Sequence, residues 1–386
     1  MIFTNIYQHI KNCNEFYFQF WANCILIAGY RNGILFDLQR GRTVRVSNLF
    51  CETYNRYKEH SICMIAKDST FKNRKGYIKM LDYFITNDFG ILTDNVNTFP
   101  KLSMEYDSPF LATNIIVEVN SNIETEQMFH VIEKKFNSQV QSIQINDCGH
   151  IKISHLKRIS EITENSHIQC INMYTNYSTP CSTKLLSIVN KNSRFRNIIF
   201  MNSPKEQSIK NEEFGTAHIR YIKNEVDFTK CGNIRKELLV YNQQFFTEAQ
   251  HHNTCLNRKV CIDAEGNIKN CPAMAKSYGN IKDTTLEEAI NKPGFKDLWY
   301  ICKDQIDVCK DCEFRYMCTD CRCFIKDPEN IYSQPAKCTY NPYICLWEGQ
   351  EGYVPVEECG TYSRETGFVP DKKRINELNR KIWGEE

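Results

Sequence analysis

The sequence predicts an α/β protein in three parts, and three observations support this fold class. Residues 1–107 combine short strands with helices, as in a winged-helix-like α+β module. Residues 108–250 repeat apolar strands separated by helical patterns, and residues 251–345 hold eleven of the twenty cysteines. Residues 346–386 follow as a polar tail. A chain of 386 residues is long enough for two or three domains of ordinary size.

Composition and charge are those of an ordinary globular protein. Hydrophobic residues make up 42% and charged residues 24% of the chain, and the formal net charge is +2. This balance gives no field that would favour nucleic acid. The sequence starts without a secretory signal, and no apolar run reaches the roughly 20 residues that a membrane span needs. We therefore expect a cytoplasmic, soluble protein with reduced thiols and with no nucleic-acid or membrane partner.

The first part begins with a predicted three-stranded meander over residues 23–47. Asn32-Gly33 suits a type I′ hairpin turn, and Arg40-Gly41 marks a second turn. A helix is predicted from Leu49 to Tyr57 and another over residues 76–88, because apolar side chains recur there at helical intervals. A short strand is predicted at 91–94.

The second part, residues 108–250, predicts a parallel sheet. Apolar strand patterns begin every 20 to 29 residues, and helical patterns fill most gaps, for example 150–164. This spacing is typical of βα units. Six units are too few for a closed eight-stranded barrel and suit an open partial barrel. The predicted strands are 113–119, 141–146, 167–173, 196–202, 217–222 and 237–241.

The third part has cysteine spacings that are typical of metal or cluster ligands. Short CxxC pairs and remote completing cysteines are common in iron–sulfur proteins, which hold each cluster with a set of four thiolates. Four-cysteine zinc sites would fit the CxxC pairs as well, whereas disulfides need an oxidising compartment. The spacing alone leaves cluster and zinc as close alternatives. The relevant residues are Cys255, Cys261, Cys271, Cys309, Cys312, Cys318, Cys321, Cys323 and Cys338.

This stretch resembles a SPASM domain, the auxiliary iron–sulfur domain of radical S-adenosylmethionine peptide maturases. The shared pattern is a Cys, Gly-x4-Cys, CxxC-x5-C, a nearby Cys and a late Cys. The resemblance implies two 4Fe–4S clusters. Its implied ligands are Cys255, Cys261, Cys271 and Cys321 for the first cluster, and Cys309, Cys312, Cys318 and Cys338 for the second.

One spacing departs from the family pattern. Two residues separate Cys318 from Cys321, where the family often has three, so Cys323 is an alternative to Cys321. Cys302 and Cys345 have no place in the pattern, and we expect both to be buried free thiols.

The cysteines that bind S-adenosylmethionine in radical enzymes are missing. Such enzymes need a CxxxCxxC loop after the first barrel strand, but the loop after Val119 contains no cysteine. No cysteine lies between Cys63 and Cys148, and CxxxCxxC occurs nowhere in the chain. We therefore do not expect S-adenosylmethionine as a cofactor, nor its reductive cleavage.

A SPASM pattern behind a barrel without these cysteines is similar to the grasp-with-spasm peptide maturases. Residues 21–40, 253–271 and 309–324 carry this resemblance. It implies an accessory protein that binds a ribosomal precursor peptide and acts with an ATP-grasp ligase. Two alternatives remain open: a redox or radical enzyme that uses the clusters for electron transfer to the peptide, and a zinc-stabilised scaffold.

In related maturases, an N-terminal module similar to PqqD binds the leader of the precursor as an added strand. By this resemblance the third strand and the second long helix of the first part would form the binding groove. The implied peptide-binding residues are Thr43, Val44, Arg45, Val46, Tyr77, Leu81 and Phe84.

Three further candidates have simpler interpretations. His251 and His252 precede Cys255, but enough cysteines are present to complete both sets. Residues 148–150 (Cys-Gly-His) are expected to form a loop, because neighbours in sequence seldom face each other as a nucleophile and its base. Glu118 and Asp147 lie near strand ends, where barrel chemistry usually sits, and the sequence assigns them no role.

Overall fold

The structure is a computed structural model, and the α-helices and strands below are those of its described residues. These residues are 6–96, 99–119, 140–147, 153–178, 187–189, 191–210, 217–228 and 231–384. The α-helices are α1 (Ile6–Asn12), α2 (Asn48–Tyr57), α3 (Ile62–Lys67), α4 (Arg74–Thr86), α5 (Ile153–Glu164), α6 (Gln243–His251), α7 (Leu286–Ile290) and α8 (Lys372–Trp383).

The strands number seventeen within the described ranges. They are β1 (Tyr17–Phe20), β2 (Cys24–Ala28), β3 (Asn32–Asp37), β4 (Arg42–Ser47), β5 (Gly90–Thr93), β6 (Ala112–Val119), β7 (Val140–Asp147), β8 (Cys170–Asn176), β9 (Phe195–Met201), β10 (Gln207–Lys210), β11 (His218–Tyr221), β12 (Lys259–Ile262), β13 (Ile268–Lys269), β14 (Tyr340–Asn341), β15 (Leu346–Trp347), β16 (Gly360–Ser363) and β17 (Gly367–Pro370).

The chain divides by contact into two compact units. The first unit comprises residues 1–106, 233–254 and 301–386, and the second comprises residues 107–232 and 255–300. The cysteine-rich part of the sequence therefore contributes to both units.

The predicted meander is confirmed as the antiparallel sheet β2-β3-β4, but the turn predicted at Asn32-Gly33 is wrong. The N–H of Gly29 donates to the carbonyl of Asn32 at 2.8 Å, so the two-residue loop is Tyr30–Arg31. Gly33 lies inside β3 for a packing reason. A Cβ at this position would lie 2.2 Å from the sulfur of Cys51 on α2, so the helix can approach the strand only where no side chain intervenes.

Two of the remaining predictions for this module are confirmed directly. The second turn ends at Gly41, whose φ of 62° favours glycine. The strand predicted at 91–94 is β5, which pairs antiparallel with β1. Ser47 ends β4 and caps α2, because its hydroxyl accepts a hydrogen bond from the N–H of Phe50 at 3.2 Å.

The three-stranded sheet is buried on both faces within the first unit. On one face, Leu35 packs with Leu81 and Phe84 of α4 in a helical core. On the other face, Ile34 and Phe36 pack into a second core, together with residues of α6 and of the cysteine-rich region. The module therefore has one core of its own, on the α4 side, and shares a second core with later segments of the first unit, because β3 contributes side chains to both.

A buried carboxylate fastens the end of this sheet. Asp37 is only 1% exposed, and its carboxylate accepts hydrogen bonds from Asn23, Arg40 and Arg42 at 2.7 to 3.1 Å. Burial raises the pKa of Asp37, but the hydrogen bonds from Arg42 and Arg40 outweigh it and leave the pKa below its ordinary value.

We expect Asp37→Asn to lower the free energy of unfolding by about 1–3 kcal/mol near neutral pH, because charged hydrogen bonds are lost. Since the pKa of Asp37 is lowered in the folded state, this contribution is present above the ordinary carboxyl pKa of about 4 and is lost as pH falls through the folded pKa. Urea unfolding near pH 7 and pH 3 measures the difference, with the exposed Asp94→Asn as control. An equal difference at both pH values would contradict the prediction.

The second unit contains a large parallel sheet, which confirms the predicted α/β class. The strand order is β10-β11-β9-β8-β7-β6-β12-β13. The six strands from β11 to β12 in this order run parallel, and the edge strands β10 and β13 pair antiparallel to their neighbours. Five of the six predicted strands are present as β6, β7, β8, β9 and β11. The helix predicted at 150–164 is present as α5 over its described residues.

The sixth predicted strand, 237–241, is wrong. Residues Lys236–Leu238 form a 3-10 helix, and Leu239 packs into a core of the first unit. The apolar run therefore serves side-chain packing and not a hydrogen-bond ladder. The sixth parallel strand is β12, which lies in the cysteine-rich region and pairs with β6.

Candidate metal centre

Four of the predicted ligands lie around one cavity in the first unit. These are the residues assigned to the second cluster, Cys309, Cys312, Cys318 and Cys338, and the cavity is otherwise lined mainly by apolar side chains. Cys309 opens a 3-10 helix that ends before Cys312, and Cys338 forms an isolated β-bridge with Ile234.

A buried lysine lies among these sulfur atoms. Lys303 is 3% exposed, and its Nζ is 3.8 Å from the sulfur of Cys309 and 3.6 Å from that of Cys318. Burial lowers the pKa of Lys303, but the surrounding Cys309, Cys318 and Asp320 raise it more, and the result is well above the ordinary value. The set therefore contains one fixed positive charge.

The thiols themselves are held in the protonated form when nothing is bound. Burial raises the pKa of Cys309 and of Cys318 to about 11, although Lys303 lowers each in part. A metal or cluster binds thiolates and must displace these protons. The N–H of Phe314 lies 3.4 Å from the sulfur of Cys312 and can donate to it, as backbone groups do around thiolate ligands.

Asp320 connects the lysine to the rest of the site. Its Oδ1 is 3.6 Å from Nζ of Lys303 and 2.7 Å from Nη2 of Arg322, and its Oδ2 accepts from Asn253 at 2.6 Å. Asp320, Arg322 and Lys303 are all buried, so a single carboxylate faces two cations in a site that is shielded from solvent. Cys321 lies between Asp320 and Arg322 in sequence and is 4% exposed.

The first predicted set is divided by the structure. Cys255, Cys261 and Cys271 belong to the second unit, whereas Cys321 and its alternative Cys323 belong to the first. Cys255 and Cys271 surround Lys259, whose Nζ is 3.3 Å from the sulfur of Cys255. Burial lowers the pKa of Lys259, but the two thiols raise it above its ordinary value.

Cys261 has different neighbours. It lies on β12, fully buried, where Glu118 and Asp263 act on its thiol more strongly than Lys259 does. Asp263 in turn pairs with Lys269 at 2.8 Å.

None of the eleven cysteines between Cys255 and Cys345 forms a disulfide, so the disulfide alternative is not observed in this region. Cys345 is 1% exposed, as predicted, whereas Cys302 is only half-buried. A disulfide joins Cys13 to Cys63 in the N-terminal module, so the expectation of reduced thiols is wrong for these two cysteines. Within the described residues, no three His, Cys, Asp or Glu side chains are grouped to hold a single metal ion. The four thiolates of a 4Fe–4S cluster bind four different irons, so they need not converge on one point.

Of the weaker candidates, Glu118 acts on the thiol of Cys261, whereas His251 and Asp147 have other partners. His251 lies at the end of α6 and its Nε2 is 2.9 Å from the carbonyl of Met104. The carboxylate of Asp147 accepts from the hydroxyl of Thr175 at 2.6 Å, and Glu118 lies beside Asp263. Residues 148–150 lie outside the described residues.

Residues 43–45 of the predicted peptide-binding set lie on an open sheet edge. No strand among the described residues pairs with the outer side of β4. Gly29 and Asn32 form a hydrogen-bonded pair, and such pairs alternate with non-bonded pairs along antiparallel strands. Following the registers across the sheet, Val44 bonds to β3, while Thr43 and Arg45 direct their N–H and C=O groups outward.

The other predicted peptide-binding residues lie beneath the surface. Leu81 and Phe84 are 0% exposed, and Val46 is buried with them. Tyr77 lines a cavity of about 600 Å³ between α2 and α4, together with Phe50. The helix residues therefore support the module from its core.

The sequence analysis missed three residues of these sites: Lys303, Lys259 and Cys231. Lysines carry no spacing signal, and nothing in the sequence distinguishes these two from the others. Cys231 lies upstream of the cysteine pattern, yet a hydrogen bond with it, together with burial, raises the pKa of the Cys271 thiol. Only the folded chain brings it there.

The residues of the second set fit an iron–sulfur cluster. Four thiols line one largely apolar cavity, and a thiolate-ligated cluster carries net negative charge that the buried ammonium of Lys303 would compensate. For the first set the fit is partial, because Cys255 and Cys271 lie together and Cys261 lies beside carboxylates.

Two solved structures are similar at low level: Streptococcus suis SuiB bound to precursor peptide SuiA (TM-score 0.38, 11% identity, covering 87% of this chain and 99% of that chain), and Streptococcus suis SuiB (TM-score 0.29, 10% identity, covering 84% and 99%). No curated protein matches the sequence. No helix in the described ranges is long and apolar enough to cross a bilayer. Residues 254–313 match the SPASM family, described as an iron–sulfur cluster-binding domain, and the chain therefore carries a SPASM domain in its cysteine-rich region.

Proposed function

We propose that this chain is a cytoplasmic accessory maturase that binds a ribosomal precursor peptide and two 4Fe–4S clusters and acts with an ATP-grasp ligase. The observation that carries the cluster assignment is the cavity lined by Cys309, Cys312, Cys318 and Cys338 around buried Lys303. The first cluster would use Cys255, Cys261, Cys271 and Cys321, with Cys323 as the alternative to Cys321. The functional division into residues 1–107, 108–250, 251–345 and 346–386 is part of this proposal.

When bound, the clusters would supply structural cross-links and, if reducible, electron transfer. Without a CxxxCxxC loop, this chain does not provide the thiolates that hold an S-adenosylmethionine-binding cluster. The protein would therefore present the peptide to a partner and would not start a radical itself. Joining peptide side chains through a carboxylate requires that the carboxylate first be activated by phosphorylation, which an ATP-grasp ligase would do with ATP.

We expect anaerobically purified protein to contain about eight irons and eight sulfides per chain, with the paramagnetic resonance signal of reduced 4Fe–4S clusters. Zinc near stoichiometry without sulfide would support the zinc-stabilised scaffold and overturn the cluster assignment. Incubation with reductant and S-adenosylmethionine should yield no 5′-deoxyadenosine. Turnover in that assay would favour the alternative of an active radical enzyme.

Peptide binding is proposed at the outer edge of β4. An extended peptide adds to such an edge through main-chain hydrogen bonds. Thr43 and Arg45 present unpaired N–H and C=O groups there, which is the template that an added strand requires. Residue 44 lies between them and keeps its ladder with β3.

We expect Thr43→Pro to weaken binding of the precursor's leader by roughly tenfold or more, because proline removes one outward N–H and its bond to the peptide. The β3–β4 ladder should persist, since that N–H faces away from β3. Fluorescence polarisation with a labelled leader measures the affinity, and Thr43→Ala is the control that keeps the N–H. Equal affinity for the two variants would contradict strand addition at this edge. Deletion of residues 1–107 would be a poorer test, because it would uncover a core shared with the rest of the first unit.

A further inference from the structure

A second cavity, of about 240 Å³, adjoins the cluster cavity in the first unit. Its lining residues all lie between Asp307 and Phe368. Val308 and Gln334 line both cavities, so their side chains form the wall between them. Sites for drug-sized ligands have volumes of roughly 300–1,000 Å³, so this smaller cavity has the size for one long amino-acid side chain.

Gln334 brings an unused hydrogen-bond acceptor to this wall. The residue is 4% exposed, and its carboxamide oxygen has no hydrogen-bond partner in the described ranges of the chain. The surface of the cluster cavity is almost entirely apolar, so the carboxamide end belongs to the second cavity. A buried acceptor without a partner is unfavourable, and a ligand that carries an N–H group would satisfy it.

The charges of the lining favour a cation. Three lining side chains are carboxylates, Asp307, Asp327 and Glu357, and one is an ammonium, Lys326. Lys326 pairs with Glu357, and Asp327 accepts a hydrogen bond from the hydroxyl of Tyr362 at 2.8 Å. The third carboxylate, that of Asp307, is the least compensated.

Asp307 is 7% exposed, and in the described part of the chain its carboxylate has a single ion pair, with Nζ of Lys310 at 3.4 Å. Lys310 leaves 44% of its side chain exposed, so water screens this pair. A Cβ at Gly367 would lie 2.4 Å from the Asp307 carboxylate, so no side chain covers the carboxylate from that position. Asp307 therefore keeps most of its capacity to bind a cation from the cavity.

Val308 gives independent support for a functional wall. Its φ of 66° is unusual for a β-branched residue, and the N–H of Cys309 donates across it to the carbonyl of Asp307 at 2.7 Å. A glycine would adopt this turn without strain, but it would leave the two cavities without a partition. Strain of this kind persists where a site requires it. Val308, Val356 and Phe368 also give the cavity apolar walls along which an alkyl chain can pack.

We propose that this cavity binds the side chain of a lysine residue in a peptide. The ammonium lies between Asp307 and Gln334 and donates hydrogen bonds to the carboxylate and to the carboxamide oxygen, while the alkyl chain packs on Val308 and Phe368. A peptide residue fits better than free lysine, because the lining carboxylates repel the α-carboxylate of the free amino acid. This site goes beyond the proposed function and does not rest on it.

The test is isothermal titration calorimetry of the full chain, purified anaerobically, with Nα-acetyl-lysine amide as the probe. We expect saturable binding, and binding weaker by about tenfold or more for the same probe acetylated at Nε, which keeps the chain but loses the charge. Free lysine should also bind more weakly than the probe. No saturable binding of the probe, or equal affinity for its Nε-acetylated form, would overturn the proposal. Tighter binding of free lysine would overturn the assignment to a peptide residue.

Two variants locate the binding. Asp307→Asn removes the charge and keeps the shape, and Gln334→Leu removes an acceptor that the described protein leaves unused. We expect each to weaken binding of the probe by about tenfold or more. Glu365→Gln removes an exposed carboxylate of the same segment outside the cavity, and should bind the probe as the wild type does.

Thermal unfolding and iron content of each variant distinguish a lost site from a lost fold. Gln334→Leu should match the wild type in both, because its carboxamide oxygen has no partner to lose. Wild-type affinity for the probe in Asp307→Asn and Gln334→Leu would place the binding elsewhere and defeat the proposal. Since the probe is measured without precursor peptide or ligase, the result is separate from the outcome for the proposed function.

Discussion

Cys309→Ser is expected to abolish the second cluster and to accelerate hydrogen exchange in two places, residues 301–347 and the hairpin Cys24–Asp37. The first effect follows because metal binding and local folding are coupled in small thiolate sites. The second follows from contacts within the first unit. The N–H of Tyr30 donates to the carbonyl of Asp311 at 2.7 Å. Arg315 donates from Nη1 to Ala28 and to Cys312, at 2.8 and 2.9 Å.

The tip of the β2–β3 hairpin therefore contacts the loop that carries Cys309 and Cys312, two of the proposed cluster ligands. A Cβ at Gly29 would lie 2.8 Å from the backbone nitrogen of Glu313, so the approach is as close as a glycine permits. Glu313 itself is fully buried and accepts a hydrogen bond from Tyr340. If the cluster no longer holds this loop, the hairpin loses its support.

We expect hairpin amides to exchange about tenfold faster or more, which corresponds to about 1.4 kcal/mol of local opening free energy. Mass spectrometry after deuterium labelling measures the change, with Cys302→Ser as matched control and the β7–β8 amides as internal reference. Faster exchange in residues 301–347 with an unchanged hairpin would show that the two regions are not coupled. In that case, leader binding at Thr43 would not be expected to depend on the iron content of the protein.

The largest effect on stability is expected for Asp320→Ala. This change leaves the buried charges of Lys303 and Arg322 without their carboxylate, and it removes the acceptor of Asn253. Breaking one partner of a buried ion pair typically costs about 3–5 kcal/mol, because the remaining charge stays desolvated. Urea denaturation should detect a loss of that size.

Two further variants make this prediction specific. The exposed Glu351→Ala should change the free energy of unfolding by less than about 0.5 kcal/mol. Adding Lys303→Met to Asp320→Ala should cost less than the sum of the single changes, because the orphaned ammonium is removed together with its partner. An Asp320→Ala variant as stable as Glu351→Ala would mean that the buried charges are compensated elsewhere.

The elements that sequence analysis predicted are those whose signal is local. The meander, α2, α4 and five parallel strands follow from alternation and helical periodicity within single segments. The hairpin turn was misplaced because Asn32-Gly33 has the composition of a turn. Glycine is needed at position 33 for another reason, the close approach of Cys51 on α2. Likewise, the apolar run at 237–241 packs as side chains, and no local pattern distinguishes that use from a strand.

The candidate site divides in the same way. The resemblance to the SPASM pattern was sufficient to group Cys309, Cys312, Cys318 and Cys338, which line one cavity in the structure. It could not identify Lys303 or Cys231, because their roles depend on neighbours that are distant in sequence. The fold also decides the charge balance at Lys303, because its partner Asp320 is held in place by a hydrogen bond from Asn253, in a separate segment of the chain.

The burial of β3 on both faces has a consequence for folding during translation. Ile34 and Phe36 find their partners in α6 and in the cysteine-rich region, more than two hundred residues later. During synthesis the face of the N-terminal sheet that carries Ile34 and Phe36 is therefore exposed to solvent. Exposed apolar surface of this kind promotes aggregation or chaperone binding. That face stays uncovered until α6 and the cysteine-rich region have been synthesised.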